Sequence, residues 1–110
     1  MIQILWVFEV RPGREAEFEQ AYRSDGDWSQ LFRKGEGYLG TTMLSDAENP
    51  SRWLIADRWS SLASFEAFQR AHREIYDELD RHCQDFTWQE TRIGIFEDAA
   101  AADQHRNEAD

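Results

Sequence analysis

At 110 residues with 41% apolar side chains, the chain has material for one domain with a packed core, and a domain this small leaves much of its surface uncovered on its own. Its formal net charge of −10 excludes phosphate-backbone recognition, which depends on Lys and Arg, and speaks equally against anionic membranes, so neither nucleic acid nor membrane is an expected partner. The single cysteine, Cys83, excludes an intrachain disulfide, and its place on an apolar stripe reads as an inert buried thiol.

The opening MIQILWVFEV runs straight into Arg-Pro-Gly. With no basic leader and no long apolar run, neither a signal peptide nor a transmembrane helix is expected, and the cytoplasm is the default location. Gln3 to Arg11 reads as a strand rich in β-branched and aromatic residues. Ile4, Trp6, Phe8 and Val10 share one face, while Leu5 and Val7 make the other face apolar too. Pro12-Gly13 suits a turn. Arg14 to Ser24 reads as a helix burying Phe18, Ala21 and Tyr22, with Glu15 and Glu17 favourable at its start. After Ser24-Asp25-Gly26, Asp27 is the expected cap of a short second helix, with Gln30 completing a capping box. That helix turns Trp28, Leu31 and Phe32 inward and ends at Lys34-Gly35.

Tyr38 to Asp46 is the expected second strand, Asn49-Pro50 a loop, and Arg52 to Trp59 the third strand. On this third strand Trp53, Ile55, Asp57 and Trp59 alternate with Arg52, Leu54, Ala56 and Arg58. Ser60 and Ser61 offer caps to a helix that runs to about Cys83 or breaks near His72. Phe86 to Phe96 is the fourth strand, and the acidic, Ala-rich residues 98–110 are expected to be a mobile tail outside a domain of residues 1–97. The order β-α-β-β-α-β predicts an α+β, ferredoxin-like fold: a four-stranded antiparallel sheet with helices on one face. Its other face is apolar as well, and leaving it wet exposes a patch larger than monomers tolerate. A homodimer packed through that face is the expected repair.

Within FEAFQRAH, positions 65, 68 and 72 fall within roughly 60° on a helix. His72 therefore shares an apolar stripe with Phe65 and Phe68, continued by Ile75, Tyr76, Leu79 and Cys83. It is either a packed, hydrogen-bonded core histidine or a group that meets a ligand; Tyr76 is open to the same two readings. Asp57, Arg58, Glu90 and Arg92 read as interstrand or intersubunit ion pairs. His72, His82 and His105 lack metal-ligand spacing, no second cysteine joins Cys83, and no phosphate loop or nucleophile elbow is present. No metal is expected.

Three segments together, FEVRPGREAEFEQAY, GYLGTTML with RWLIADRWSS, and the helix carrying FEAFQRAH, resemble the antibiotic biosynthesis monooxygenase-like superfamily of dimeric α+β barrels over residues 2–97. Haem-degrading members of that superfamily use an Asn on the first strand with a Trp and a His on the second long helix. Here the first strand has no Asn and no Trp lies between Ser60 and Gln84, so the resemblance does not extend to haem. What it implies instead is oxygenation without a cofactor: a small aromatic or quinol-type compound loses a proton and its anion reduces dioxygen. On that reading His72 is the base and Tyr76 a donor to a substrate oxygen, and Trp6, Phe8, Trp28, Phe32, Phe65 and Phe68 wall the pocket. A ligand-binding or structural dimer without chemistry, and an isomerase on the same scaffold, are the competing readings, because fold alone does not imply function.

Overall fold

β1 (Ile2–Val10) lies in the middle of the sheet because its alternate residues are greasy enough to be buried on both edges and both faces. The computed structural model describes residues 1–99. In it, β2 (Tyr38–Asp46), β3 (Asn49–Trp59), β1 and β4 (Thr87–Glu97) follow one another in the order β2-β3-β1-β4, all neighbours antiparallel. The helical layer comprises α1 (Glu15–Tyr22), α2 (Asp27–Phe32), α3 (Leu62–Ala71) and α4 (Arg73–Cys83), with a short 3₁₀ turn, Gln84–Phe86, before β4. This is the ferredoxin-like α+β arrangement that the element order predicts. The expected tail falls, from residue 100 on, outside the described residues. No helix among the described residues is long and apolar enough to cross a membrane.

Period-two alternation decides which residues meet the helices. Ile2, Ile4, Phe8 and Val10 of β1 and Ile55, Asp57 and Trp59 of β3 are buried, and Phe18, Ala21 and Tyr22 of α1 close over them at the predicted i, i+3, i+4 spacing. Trp59 is completely buried. Phe32, Tyr38, Phe65 and Phe68 surround it at ring-centroid distances of 5.3–5.6 Å, edge-on or tilted, the arrangement aromatic quadrupoles favour.

Two boundaries differ from the sequence expectation. β3 begins at Asn49, so Pro50 is inside a strand. Pairing with β1 starts only at Arg52, which leaves Pro50 beyond β1 on an arm with a single neighbour, where a missing N–H is tolerated. The cap of α2 is Gly26, with Asp27 already in the helix and no side-chain cap bond. A Cβ at Gly26 would collide with the Gln20 carbonyl, so close backbone approach decides that position, and Gln30 donates to the Asp25 carbonyl at 3.0 Å instead of closing a capping box. Ser61 does cap α3, its hydroxyl accepting from the Ser64 N–H at 3.1 Å. His72 separates α3 from α4 with φ −124° and ψ 32°. Neither Gly nor Pro marks this break.

Candidate functional site

Packing is not uniform across the inner face of the sheet. Beside Asp57 the aromatic layer parts around a half-open cavity of about 40 Å³. One water needs about 10–15 Å³ and benzene about 150 Å³, so the space as it stands takes a few waters, and a ring must press into it from the open side. Trp6 and Phe8 of β1 with Ile55 of β3 form the sheet side. Tyr22, Trp28, Phe32, Phe65 and Tyr76 form the helix side.

Asp57 is 7% exposed and makes no ion pair among the described residues. It is held on the inner face by β3 alternation, and the β2–β3 register sets Thr41 directly opposite. The Thr41 hydroxyl donates to its Oδ1 at 2.8 Å, while no hydrogen bond reaches Oδ2 among the described residues. Burial, only partly offset by Thr41 and by the charge of Arg58, pushes the carboxyl up to about 6. Arg58 cannot do more because it points to the opposite face, where its Nη1 donates to Thr42 Oγ1 at 2.6 Å.

Behind Thr41 the oxygens continue in a row: Tyr38 Oη at 2.6 Å, then Ser29 Oγ at 3.0 Å from Tyr38, then the Arg23 carbonyl at 3.4 Å from Ser29. Each hydroxyl has one hydrogen to give. Thr41 donates to the carboxylate, Tyr38 donates to Ser29, and Ser29 donates to the Arg23 carbonyl.

Two further carboxylates mark the mouth. Asp80 of α4 and Glu90 of β4 line both the cavity and the groove outside it, beside Gln84, Trp88 and Gln89. Both are pushed above the usual carboxylate range, first by burial and then by a neighbouring acid: Asp77 for Asp80, Asp80 for Glu90. Neither makes an ion pair among the described residues. Burial also raises the phenols of Tyr22 and Tyr76, so both remain hydrogen-bond donors. Trp28 Nε1 is buried without an acceptor at hydrogen-bonding geometry, although it lies close enough to Tyr22 and Cys83 to favour their ionised forms. Burial nonetheless holds the Cys83 thiol up at about 11, as its apolar position predicts.

Of the residues proposed from the sequence, Trp6, Phe8, Trp28, Phe32, Phe65 and Tyr76 come together around this cavity. Phe68 and His72 are not among its walls. Phe68 is packed into the Trp59 cluster, and half-buried His72 lies against it with ring centroids 5.2 Å apart. The interstrand ion pairs expected for Asp57, Arg58, Glu90 and Arg92 are absent among the described residues, and strand alternation sends Asp57 and Arg58 to opposite faces. Asp57, Thr41, Tyr22, Ile55, Asp80 and Glu90 are the cavity residues that sequence reasoning did not assign to it. The one available signal was an acid in step with Trp53, Ile55 and Trp59.

A ferredoxin-like α+β domain with an aromatic cavity under its helices defines the class. The family model described as antibiotic biosynthesis monooxygenase matches residues 1–86, and the chain belongs to that family. Among solved structures it is similar to SnoaB, a cofactor-independent oxygenase from Streptomyces nogalater, with 14% identity, a TM-score of 0.72, and coverage of 88% of this chain and 91% of that one. It is also similar to candidate antibiotic biosynthesis monooxygenases from Nitrosomonas europaea (18% identity, TM-score 0.67, 89% and 98% covered) and Bordetella bronchiseptica (20%, 0.67, 88% and 95%). At these identities the likeness establishes the fold. A comparison with curated protein sequences finds no match.

Proposed function

We propose that the protein is a cofactor-independent monooxygenase of a small electron-rich phenol or quinol. The observation that carries this reading is Asp57: a nine-tenths buried carboxylate, one oxygen unbonded, inside an aromatic cavity. A base titrating near 6 is poised to take a proton at neutral pH. In the reaction the phenol gives its proton to Asp57 and the anion passes electrons to dioxygen. A C–O bond forms at a ring carbon bearing hydrogen, ortho or para to the phenol oxygen. The O–O bond then breaks as water leaves and the ring becomes a quinone. One dioxygen atom stays in the product, the other departs as water, and the substrate supplies all the electrons. Tyr76 donates a hydrogen bond to the developing anion, and the aromatic walls exclude water. Asp57 takes the role of base in preference to His72 because it faces the cavity.

Support for a homodimer comes from the outer sheet face, where Leu5, Val7 and Leu54 are half-buried and Leu44 and Phe96 are 51% and 49% exposed. A second copy covering this face gives a sedimenting mass of twice 13.0 kDa at micromolar concentration; a monomer there ends that part of the proposal.

The activity is tested by incubation with hydroquinones, phenols and anthrones under ¹⁸O₂. The expected result is one labelled oxygen per product, a kcat/KM that rises with pH through about 6, and a drop in kcat of about 100-fold or more in Asp57→Asn, the scale of a lost general base. Saturable binding without turnover would leave a binding protein. Turnover under strict anaerobiosis would leave an isomerase.

A further inference from the structure

The cavity is smaller than the ring its walls suit. About 40 Å³ is open, against the ~150 Å³ that takes up benzene, so a ring enters only if a wall yields. The walls are held unequally. Trp6, Phe8 and Ile55 belong to the two central strands, whose ladders fix them on both edges. α2 buries four of its six residues and α1 three of its eight. α4, which contributes Tyr76 and Asp80 to the cavity, buries one of its eleven, Cys83 at its C-terminal end.

The ion pair of α4, Arg73 with Asp77, is internal to the helix. Its ring contact with α2 is one edge-on pair, Tyr76 against Trp28, with centroids 5.0 Å apart. Beside that pair the two helices stand off. Gln30 and Leu31 face Ile75, Glu78 and Leu79 across an open groove, and Ile75 stays exposed. Underneath, Trp28 Nε1 is buried with no acceptor, close to the Cys83 thiol. An unpaired buried donor disfavours the closed arrangement and is hydrated once α4 lifts. The helix also has a joint at each end. His72 leaves helical geometry between α3 and α4, and the three-residue 3₁₀ turn Gln84–Phe86 gives slack before β4. Beyond that slack the chain is fixed, because Phe86 is buried and its carbonyl accepts from the Arg11 N–H at 2.9 Å. Movable walls are drawn from elements with few buried contacts, and their pivots from residues at element ends.

We infer that α4 is the movable wall of the cavity: pivoting at His72, it lifts from Trp28, uncovers Cys83 and widens the mouth beside Glu90 to admit an aromatic ring. What enters rests on the oxygenase reading; the movement does not.

Cys83 is the only cysteine of the chain and is 3% exposed, so its reaction with dithiodipyridine reports the lifted state in the full chain without any ligand. In the folded protein the thiol should label at a rate proportional to reagent and nearly independent of urea below the unfolding transition, because lifting one helix exposes little surface beside global unfolding. Tyr76→Ala removes the ring contact with Trp28 and should speed labelling about tenfold, the factor that corresponds to one aromatic pair. Tryptophan fluorescence in urea gives the global unfolding of both proteins for comparison. Labelling that appears only with the urea dependence of global unfolding overturns the inference. So does a labelling rate that Tyr76→Ala leaves unchanged once the difference in global stability is subtracted. Should that variant fail to fold, the urea dependence of the parent decides alone. No substrate takes part, so an absence of oxygen incorporation under ¹⁸O₂ leaves the movement standing, and a fixed α4 in an active oxygenase removes the gate alone.

Discussion

Trp59 and Asp57 are two residues apart on the same face of β3, and the protein treats them in opposite ways. Around Trp59 the helices and β2 close into continuous ring-on-ring packing; around Asp57 the same layer is left open and lined with acids. The first region spends side-chain volume on stability. The second withholds it, and burial of a lone carboxylate there works against stability. Closed core and open cavity are thus separated along one strand by about 7 Å of chain, two residues of β rise.

The comparison breaks most visibly at Trp59. Trp59→Ala should cost about 3–5 kcal/mol of unfolding free energy, as for other buried aromatics, measured by urea denaturation, and should erode the cavity only through global unfolding. Asp57→Asn should act in the opposite direction. The folded chain holds the Asp57 proton up to about 6 against an ordinary 3.8, so between about pH 4 and pH 6 the folded state binds more protons than the unfolded one. Stability therefore falls as pH rises through that window, and the full penalty stands above it. The amide removes it: the variant should be more stable than the parent by roughly 2–3 kcal/mol at pH 8 and no more stable at pH 4, read from thermal melts at the two pH values. Thr41→Val has the smallest effect. Loss of the donor should cost about 1 kcal/mol at pH 8, and the rise of kcat/KM with pH should move to higher pH, since Thr41 favours the ionised carboxylate. A variant profile superimposable on the parent would mean that Asp57 does not govern the rate.

Most of the fold was legible because it follows from periodicity. The alternation in QILWVFEV and RWLIADRW assigned the faces of β1 and β3, and the i, i+3, i+4 pattern assigned the buried side of α1. The cavity was legible only as a set of aromatic residues. Its acids come from three different elements, β3, α4 and β4, and what makes Asp57 special depends on register. The register shift between Ser45 and Asp46 in the β2–β3 hairpin sets Thr41 opposite Asp57, and no residue pattern announces it. The stripe through Phe65, Phe68 and His72 was a fair helical wheel, but the chain bends at His72, and a wheel drawn through a bend rotates everything beyond it. Tyr76 and Asp80 reach the cavity from the far side of that bend.

Ser29, Tyr38 and Thr41 have one more consequence. The row ties the Asp57 carboxylate to the Arg23 carbonyl through contacts of 2.6–3.4 Å, so the charge on Asp57 acts on the segment that joins the first two helices. Amide exchange across residues 23–29, compared on either side of pH 6, would register that coupling from outside.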